Sequence, residues 1–383
     1  MSKGRFPLHS KQKFSRRTLV KSAASVALGM SCIPSSALES PEERDLKLYL
    51  NHAEILAETL QMKWFHSNPY AQWGHDQNAW NTCNTLEAII DYTRITGDKR
   101  YLKIVRQTST DQVLIKKVMG DGVDDEAWAG IALAKAYQLT RDISCLEVAK
   151  TIFASMTTYW DDTCGGGVWW NFKRSYKNAI TNELFLVLAL LLYRATKSQS
   201  YLDWAKKEWD WFAKSGMINS DGLVNDGLHE CKNNNGETWT YNQGVILGGL
   251  TELFRITQDK AYLNQALKIA SASIRVLAKP QNGIPILQEV GGDLNADQQQ
   301  FKGIFVRYLA ALAHALPKEA SADKKTIRDF VCINADSLWK RARNEENQIN
   351  AYWHESERKP IYSPITLTSG LDLLNAAAAL NKS

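Results

Sequence analysis

A chain of 383 residues with 44% hydrophobic and 23% charged residues has a globular composition, long enough for one large core and unlike a disordered or fibrous chain. Its formal charge of +5 is carried by the first 37 residues, which hold seven Lys and Arg and no acid; beyond them 39 basic residues face 41 acidic ones. No basic stripe remains to engage nucleic acid or an anionic membrane surface, and those partner classes are excluded.

The N-terminal segment reads as a leader. Ser15-Arg16-Arg17-Thr18-Leu19-Val20-Lys21 precedes the apolar run 23–30, and Ser35-Ser36-Ala37 offers small residues for cleavage. A basic region joined to a short hydrophobic one, with paired arginines, matches a twin-arginine export signal over 1–37. The run is too short to span a bilayer, so no integral membrane segment is expected there. A lipid anchor on Cys32 has only the poor context Gly29-Met30-Ser31. Residues 38–383 then form a single catalytic domain, exported to the periplasm or beyond. Five cysteines remain after cleavage, an odd number without CxxC spacing; no disulfide framework is expected, and a single bridge stays open.

From about Leu46 to Leu380 the sequence repeats one theme. Apolar runs occupy 85–94, 126–139, 182–194, 241–255, 302–316 and 367–380. Similar joints follow four of them, at Ile95-Thr96-Gly97-Asp98, Leu139-Thr140-Arg141-Asp142, Ala195-Thr196-Lys197 and Ile256-Thr257-Gln258-Asp259. Each joint links an apolar helix to an amphipathic one, a pair unable to bury its hydrophobic face alone. The joint threonines are 44, 56 and 61 residues apart, too irregular for an open solenoid of identical repeats. The pattern predicts an all-α, closed (α/α)6 toroid of six helical hairpins with long loops crowding one end. Strand signals are confined to a small loop hairpin near 222–227 or 283–286, and no Pro/Ser-rich linker marks a second domain.

Asp124 and Asp125 stand at the mouth of the second apolar run. Paired carboxylates suit glycosidic cleavage, where one protonates the leaving oxygen while the other attacks or stabilises the sugar carbon. Acids at a helix start also serve as caps and dipole partners, and the spacing alone leaves both readings open. Thirteen tryptophans favour the first, since several stand beside amides, as in Trp80-Asn81, Trp169-Trp170-Asn171 and Trp239-Thr240-Tyr241-Asn242-Gln243. Flat aromatic faces stack on sugar rings while amides and carboxylates bind hydroxyls. Scattered histidines without HExxH spacing give no metal site, and Gly165-Gly166-Gly167 lacks the lysine and hydroxyl of a phosphate loop. No metal or cofactor is expected.

Taken in order, Trp80-Asn81 with Asn84, Asp124-Asp125-Glu126-Ala127-Trp128, Gly165-Gly166-Gly167-Val168-Trp169-Trp170 and Lys177-Asn178-Ala179 with Asn182-Glu183-Leu184-Phe185 form a series. It continues through Asp221-Gly222-Leu223-Val224-Asn225-Asp226, Trp239 to Gly244 and Phe301-Lys302-Gly303. The series resembles glycoside hydrolase family 76 over roughly residues 45–380. The resemblance implies an (α/α)6 barrel and a retaining endo-α-1,6-mannanase, with Asp124 as nucleophile and Asp125 as acid/base. It also implies a monomer acting on α-mannan, with Trp80, Asn81, Asn84, Trp128, Trp169, Asn182, Glu183, Asp226, Tyr241, Asn242 and Gln243 lining the substrate site. After Trp128 the family pattern has another bulky aromatic, whereas this chain has Ala129-Gly130, a change expected to alter the sugar pocket. Other classes are a transglycosidase, a non-hydrolytic glycan-binding protein, or a sugar epimerase, the last disfavoured by the scattered histidines.

Overall fold

The computed structural model describes residues 41–74, 78–291, 294–355 and 358–382. The expected signal at 1–37, with Arg16, Arg17 and Cys32, lies outside the described residues. From residue 40 onward the chain is one compact unit, built from thirteen helices: α1 (Pro41–Thr59), α2 (Ala79–Thr96), α3 (Leu102–Ser109), α4 (Gln112–Val118), α5 (Val123–Thr140), α6 (Ile143–Thr158), α7 (Ala179–Thr196), α8 (Gln199–Phe212), α9 (Thr240–Thr257), α10 (Lys260–Leu277), α11 (Gln298–Ala315), α12 (Ser321–Ser337) and α13 (Pro364–Leu380).

The repeated joint has a local cause. Thr96, Thr140, Thr196 and Thr257 each donate a hydroxyl to the carbonyl four residues back at 2.7–2.8 Å. Each also accepts the N–H two residues ahead at 3.1–3.3 Å. The residue between, Gly97, Arg141, Lys197 or Gln258, is left-handed with φ of 61–74° and closes the helix with its own N–H. Asp98, Asp142 and Asp259 then cap the next helix by accepting an N–H from its first turn. Three of the four left-handed positions lack glycine's freedom, so these bonds offset a backbone cost of about 1–2 kcal/mol each.

The six apolar runs are the cores of α2, α5, α7, α9, α11 and α13. Each touches the next, and α13 touches α2, which closes the ring. The fold is therefore (α/α)6. Five pairs are hairpins continuous in sequence; the sixth is α13 against α1, the two ends of the described chain meeting in space. Close approach needs small residues at the contacts: a Cβ on Gly244 would lie 2.6 Å from the Phe305 Cα, and one on Gly303 2.6 Å from that of Ser369. Outer helices are amphipathic, α10 burying Leu263, Ala266, Ile269, Ala270, Ser273 and Leu277 along one face. The outer partner of α2 is broken at Asp111, which restarts it as α4 by accepting from Val113 and Leu114 N–H and ties it to Ala71 N–H. Among the described residues α7 alone is long and apolar enough to cross a membrane; it is an inner helix between α5 and α9.

Among the described residues, strands form three short antiparallel ladders, beside isolated bridges such as Ile218 with Val224. The hairpin expected near 283–286 is present as β5 (Ala278–Gln281) and β6 (Ile284–Leu287), turning through Asn282 and Gly283 at φ 51° and 78°, the Asn-Gly signature of a tight hairpin. Ladders β1–β2 (Phe65–His66 with Gln72–Trp73) and β3–β4 (Leu228–His229 with Lys232–Asn233) are two residues long, too short to leave an alternation in sequence. One disulfide forms, Cys164–Cys231.

Polar groups cross the interior midway along the ring. Arg307 on α11 donates to both carboxylate oxygens of Asp372 on α13 at 3.0 and 2.8 Å, and to the Asn84 side-chain and backbone oxygens on α2 at 3.1 and 3.3 Å. Glu87 lies 3.2 Å from Arg307 and 2.6 Å from Lys135 on α5. Burial in this layer pushes the Asp372 carboxyl up to about 6, opposed by the Arg307 guanidinium.

Candidate active site

The site forms where α5 begins and the loop between α6 and α7 folds back over it. That loop turns through Gly165, Gly166 and Gly167, with φ of 78°, 144° and 91°, because the Trp211 ring passes beside it: a Cβ on Gly167 would lie 2.3 Å from that ring. Lys177, buried, donates to the Asp161 carboxylate at 2.9 Å and to the carbonyls of Asp161, Thr163 and Gly166 at 3.1, 2.6 and 2.6 Å. The Asn182 carboxamide pairs like a strand with Val168, accepting its N–H at 2.6 Å and donating to its carbonyl at 3.0 Å. The loop is thus fixed before it reaches the aspartate pair. Val123 N–H donates to the Trp170 carbonyl at 3.2 Å, and the Trp170 indole N–H donates to Asp124 Oδ2 at 2.8 Å.

Asp124 and Asp125 are half-buried in the first turn of α5. The helix is capped by extended Gly122 without a side-chain cap bond, so neither aspartate is its N-cap, although the helix dipole favours negative charge there. Asp124 Oδ1 and Asp125 Oδ2 lie 3.0 and 3.3 Å from the point where a Cβ on Gly122 would stand. Two oxygens that close to one point are nearer each other than the roughly 6.5–9.5 Å kept by inverting glycosidases.

Their electrostatics differ. Burial raises Asp124 to about 6, with the Trp170 indole and the Asp125 amide as opposing donors and the Asp297 charge adding to the rise. Burial raises Asp125 further, to about 8, helped by the like charges of Asp124, Asp121, Asp297 and Glu126. Donors to Asp124 favour its ionised form, whereas burial and neighbouring acid charges favour the protonated form of Asp125. That is the division of labour an ionised nucleophile and a protonated acid require.

Around the pair, the starts of four inner helices bring aromatic rings together. Tyr241 stacks on Phe301 at 3.8 Å, Trp239 meets Phe301 edge-on at 5.8 Å, and Trp80 lies between Phe301 at 6.3 Å and Trp128 at 5.9 Å. Burial holds the Tyr241 phenol protonated, reinforced by the charges of Asp226, Asp124, Glu183 and Asp297. Asp226 accepts from the Tyr176 hydroxyl at 2.5 Å, and the Tyr176 ring meets Trp170 edge-on at 6.2 Å.

The structure thus gathers Asp124, Asp125, Trp80, Trp128, Tyr241 and Asp226 at one end of the ring. Several expected contacts are corrected. Asn84 is fully buried and committed to Arg307, Asn182 to Val168, and Gln243 to the Val224 N–H and carbonyl, both at 2.8 Å; these amides position loops and helices instead of facing a cleft. The side chains of Asn81, Asn242 and Glu183 are fully buried and make no hydrogen bond among the described residues. Trp169 turns away, its indole N–H donating to Asp161 at 2.7 Å and Lys177 lying 4.8 Å from its ring. In extended backbone adjacent side chains point oppositely, so Trp170 is the indole that reaches Asp124. Gly130 does not shape a sugar pocket: a Cβ there would meet Leu188 at 2.7 Å and Ile152 at 3.2 Å, making it a contact with α7 and α6. Asp297, whose charge bears on both paired aspartates, had no motif to mark it. No group of His, Cys, Asp and Glu able to hold a metal occurs among the described residues.

Comparison with known proteins adds the family. Residues 49–383 match glycosyl hydrolase family 76. Mannan endo-1,6-alpha-mannosidase DCW1 of Candida albicans is 29% identical over 278 residues, which cover 65% of this chain and 61% of that protein; the chain thus spans about three-fifths of that relative's length. The solved GH76A alpha-1,6-mannanase of Salegentibacter sp. HEL1_6 superposes with a TM-score of 0.76 at 28% identity, covering 87% of this chain and 99% of that one. A variant of the same bacterial protein, inactivated by replacing two consecutive aspartates with alanine, was solved with alpha-1,6-mannotetrose. With the family matched over most of its length and the paired aspartates set at the mouth of an (α/α)6 ring, the chain belongs to glycosyl hydrolase family 76.

Proposed function

We propose that the protein cleaves α-1,6-mannosidic bonds within mannan chains by a retaining double displacement. The observation that carries this reading is the adjacent pair, in which Trp170 donates to Asp124 while Asp125 is surrounded by acids. Asp124 Oδ attacks the anomeric carbon as the glycosidic C–O bond breaks, and the Asp125 proton passes to the departing oxygen. Asp125, now ionised, takes a proton from water, which attacks the glycosyl ester and releases Asp124. Similarity to proteins whose names carry α-1,6-mannan cleavage supports the linkage. The test is NMR of the first product from α-1,6-mannan, with and without an added mannoside acceptor. An α anomer supports retention, a β anomer overturns it, and capture by the acceptor in place of water identifies a transglycosidase.

The pH profile of kcat/KM is expected to be a bell with its maximum between about 6 and about 8. Below it the nucleophile gains a proton; above it the acid loses one. Trp170→Phe removes a donor to the ionised form of Asp124, so the acidic limb should move toward neutral pH, with kcat/KM at pH 7 falling about tenfold or more. An unmoved limb would show that the indole contributes only packing.

We further propose export through a twin-arginine route from Ser15 to Lys21. Changing Arg16 and Arg17 to Lys should leave precursor in the cytoplasm on fractionation, and normal export of that variant would refute the route.

A further inference from the structure

A concavity of about 760 Å³ lies between the 163–177 loop and the β3–β4 hairpin. Its two walls belong to different helical hairpins and are fastened across 67 residues by Cys164–Cys231. Its shape is fixed from within. The Asn234 carboxamide donates to the Tyr176 hydroxyl at 2.8 Å and accepts from Gly236 N–H at 2.8 Å, and Asn233 donates to the Gly216 carbonyl at 2.8 Å. At the hairpin tip, Glu230 and Cys231 are both left-handed, with φ of 49° and 60°. Two consecutive non-glycine residues in that region cost of order 1–3 kcal/mol each and persist only where the surroundings impose them.

The groove shares a wall with the catalytic site. Tyr176 and Asp226 line it, and the far edge of Tyr176 meets Trp170, which holds Asp124. A chain lying against Asp124 is therefore separated from the groove by the Trp170 and Tyr176 rings, and only a group projecting sideways over that edge can enter it. Trp169 lines the groove with its indole N–H given to Asp161 and the Lys177 ammonium 4.8 Å from its ring, so its carbon edge carries no polar demand of its own. His229, Glu230 and Lys232 stand exposed at the rim, where hydroxyl groups can be bonded. Its size falls within the range of small-molecule pockets, and an aromatic wall with a polar rim is the chemistry of a neutral sugar.

We propose that this groove is a glycan subsite for a side branch, so that the protein prefers a branched mannan chain to a linear one; the inference rests on the α-mannanase reading above. The test uses the full-length Asp124→Asn protein, with calorimetric titration of linear α-1,6-mannotetraose and of the same tetraose carrying one mannosyl branch. The branched ligand should bind about tenfold more tightly, the return of one or two hydrogen bonds and a ring contact. His229→Ala with Lys232→Ala, both exposed and safe for folding, should bring the ratio of the two affinities to one, and Cys164→Ser with Cys231→Ser should reduce it. Equal binding of the two ligands by the unaltered groove, or a rim variant that weakens both equally, overturns the branch subsite while the mannanase reading stands on cleavage of linear mannan by the wild type. Absence of binding by either ligand, together with absence of that cleavage, overturns both.

Discussion

Asp124→Asn is expected to abolish turnover on every substrate, with kcat lower by about 10⁴-fold or more, the scale on which losing a nucleophile is felt. The amide cannot form the glycosyl ester; Glu126 is buried and accepts from Ser155, while Asp125 must supply the proton. Asp125→Asn should cost about 10²–10⁴-fold on mannan, but much less in the first step when the leaving group is an activated phenol that departs unprotonated. Added azide should then restore the second step and yield an α-glycosyl azide, read by NMR. Near-normal activity of Asp124→Asn, or an inverted product, would return the aspartates to a dipole role or to another mechanism.

Arg307→Met should produce the largest loss of stability. The side chain is buried and bonded to Asp372 and Asn84, so its removal leaves a carboxylate inside the ring facing Glu87. Breaking one partner of a buried ion pair costs about 3–5 kcal/mol, here a fall in Tm of roughly 4–7 °C. The double variant Arg307→Met with Asp372→Leu should recover much of it, because the stranded charge goes with its partner. Calorimetric unfolding of the four proteins decides this, and additive losses would show that the two side chains are not coupled.

The ring was legible in the sequence because its joints are local. A threonine, a left-handed residue and a capping aspartate act within a few positions of one another, and the apolar runs between them are long enough to show helical period. The position of the aspartate pair at the start of an inner helix was legible for the same reason. What the sequence did not disclose depends on folding at a distance. Asn84, Asn182 and Gln243 look like sugar-binding amides beside aromatic residues, yet each is spent on a partner that sequence spacing cannot reveal: Arg307 is 223 residues from Asn84, and Val224 is 19 from Gln243. Trp169 and Trp170 differ only in which way an extended backbone points them. Asp297 acts through space on α5 from the start of α11. The Cys164–Cys231 bridge joins two loops whose proximity is created by α7 and α8.

The meeting of α1 and α13 sets an order on the birth of the molecule. A ribosome releases α2 and α11 before α13, so the seam between them stays open until α13 follows. Three of the groups that close it arrive on the last described helix: Asp372 for Arg307, Thr368 for Thr85 at 2.8 Å, and Asn375 for the Ala88 carbonyl at 2.9 Å. Until then Arg307 has no carboxylate from α13, and the apolar flank of α1 has no neighbour there. The nascent chain consequently stays exposed to aggregation along this seam until α13 emerges, and the paired helices built early wait on contacts of large sequence separation, which form slowly.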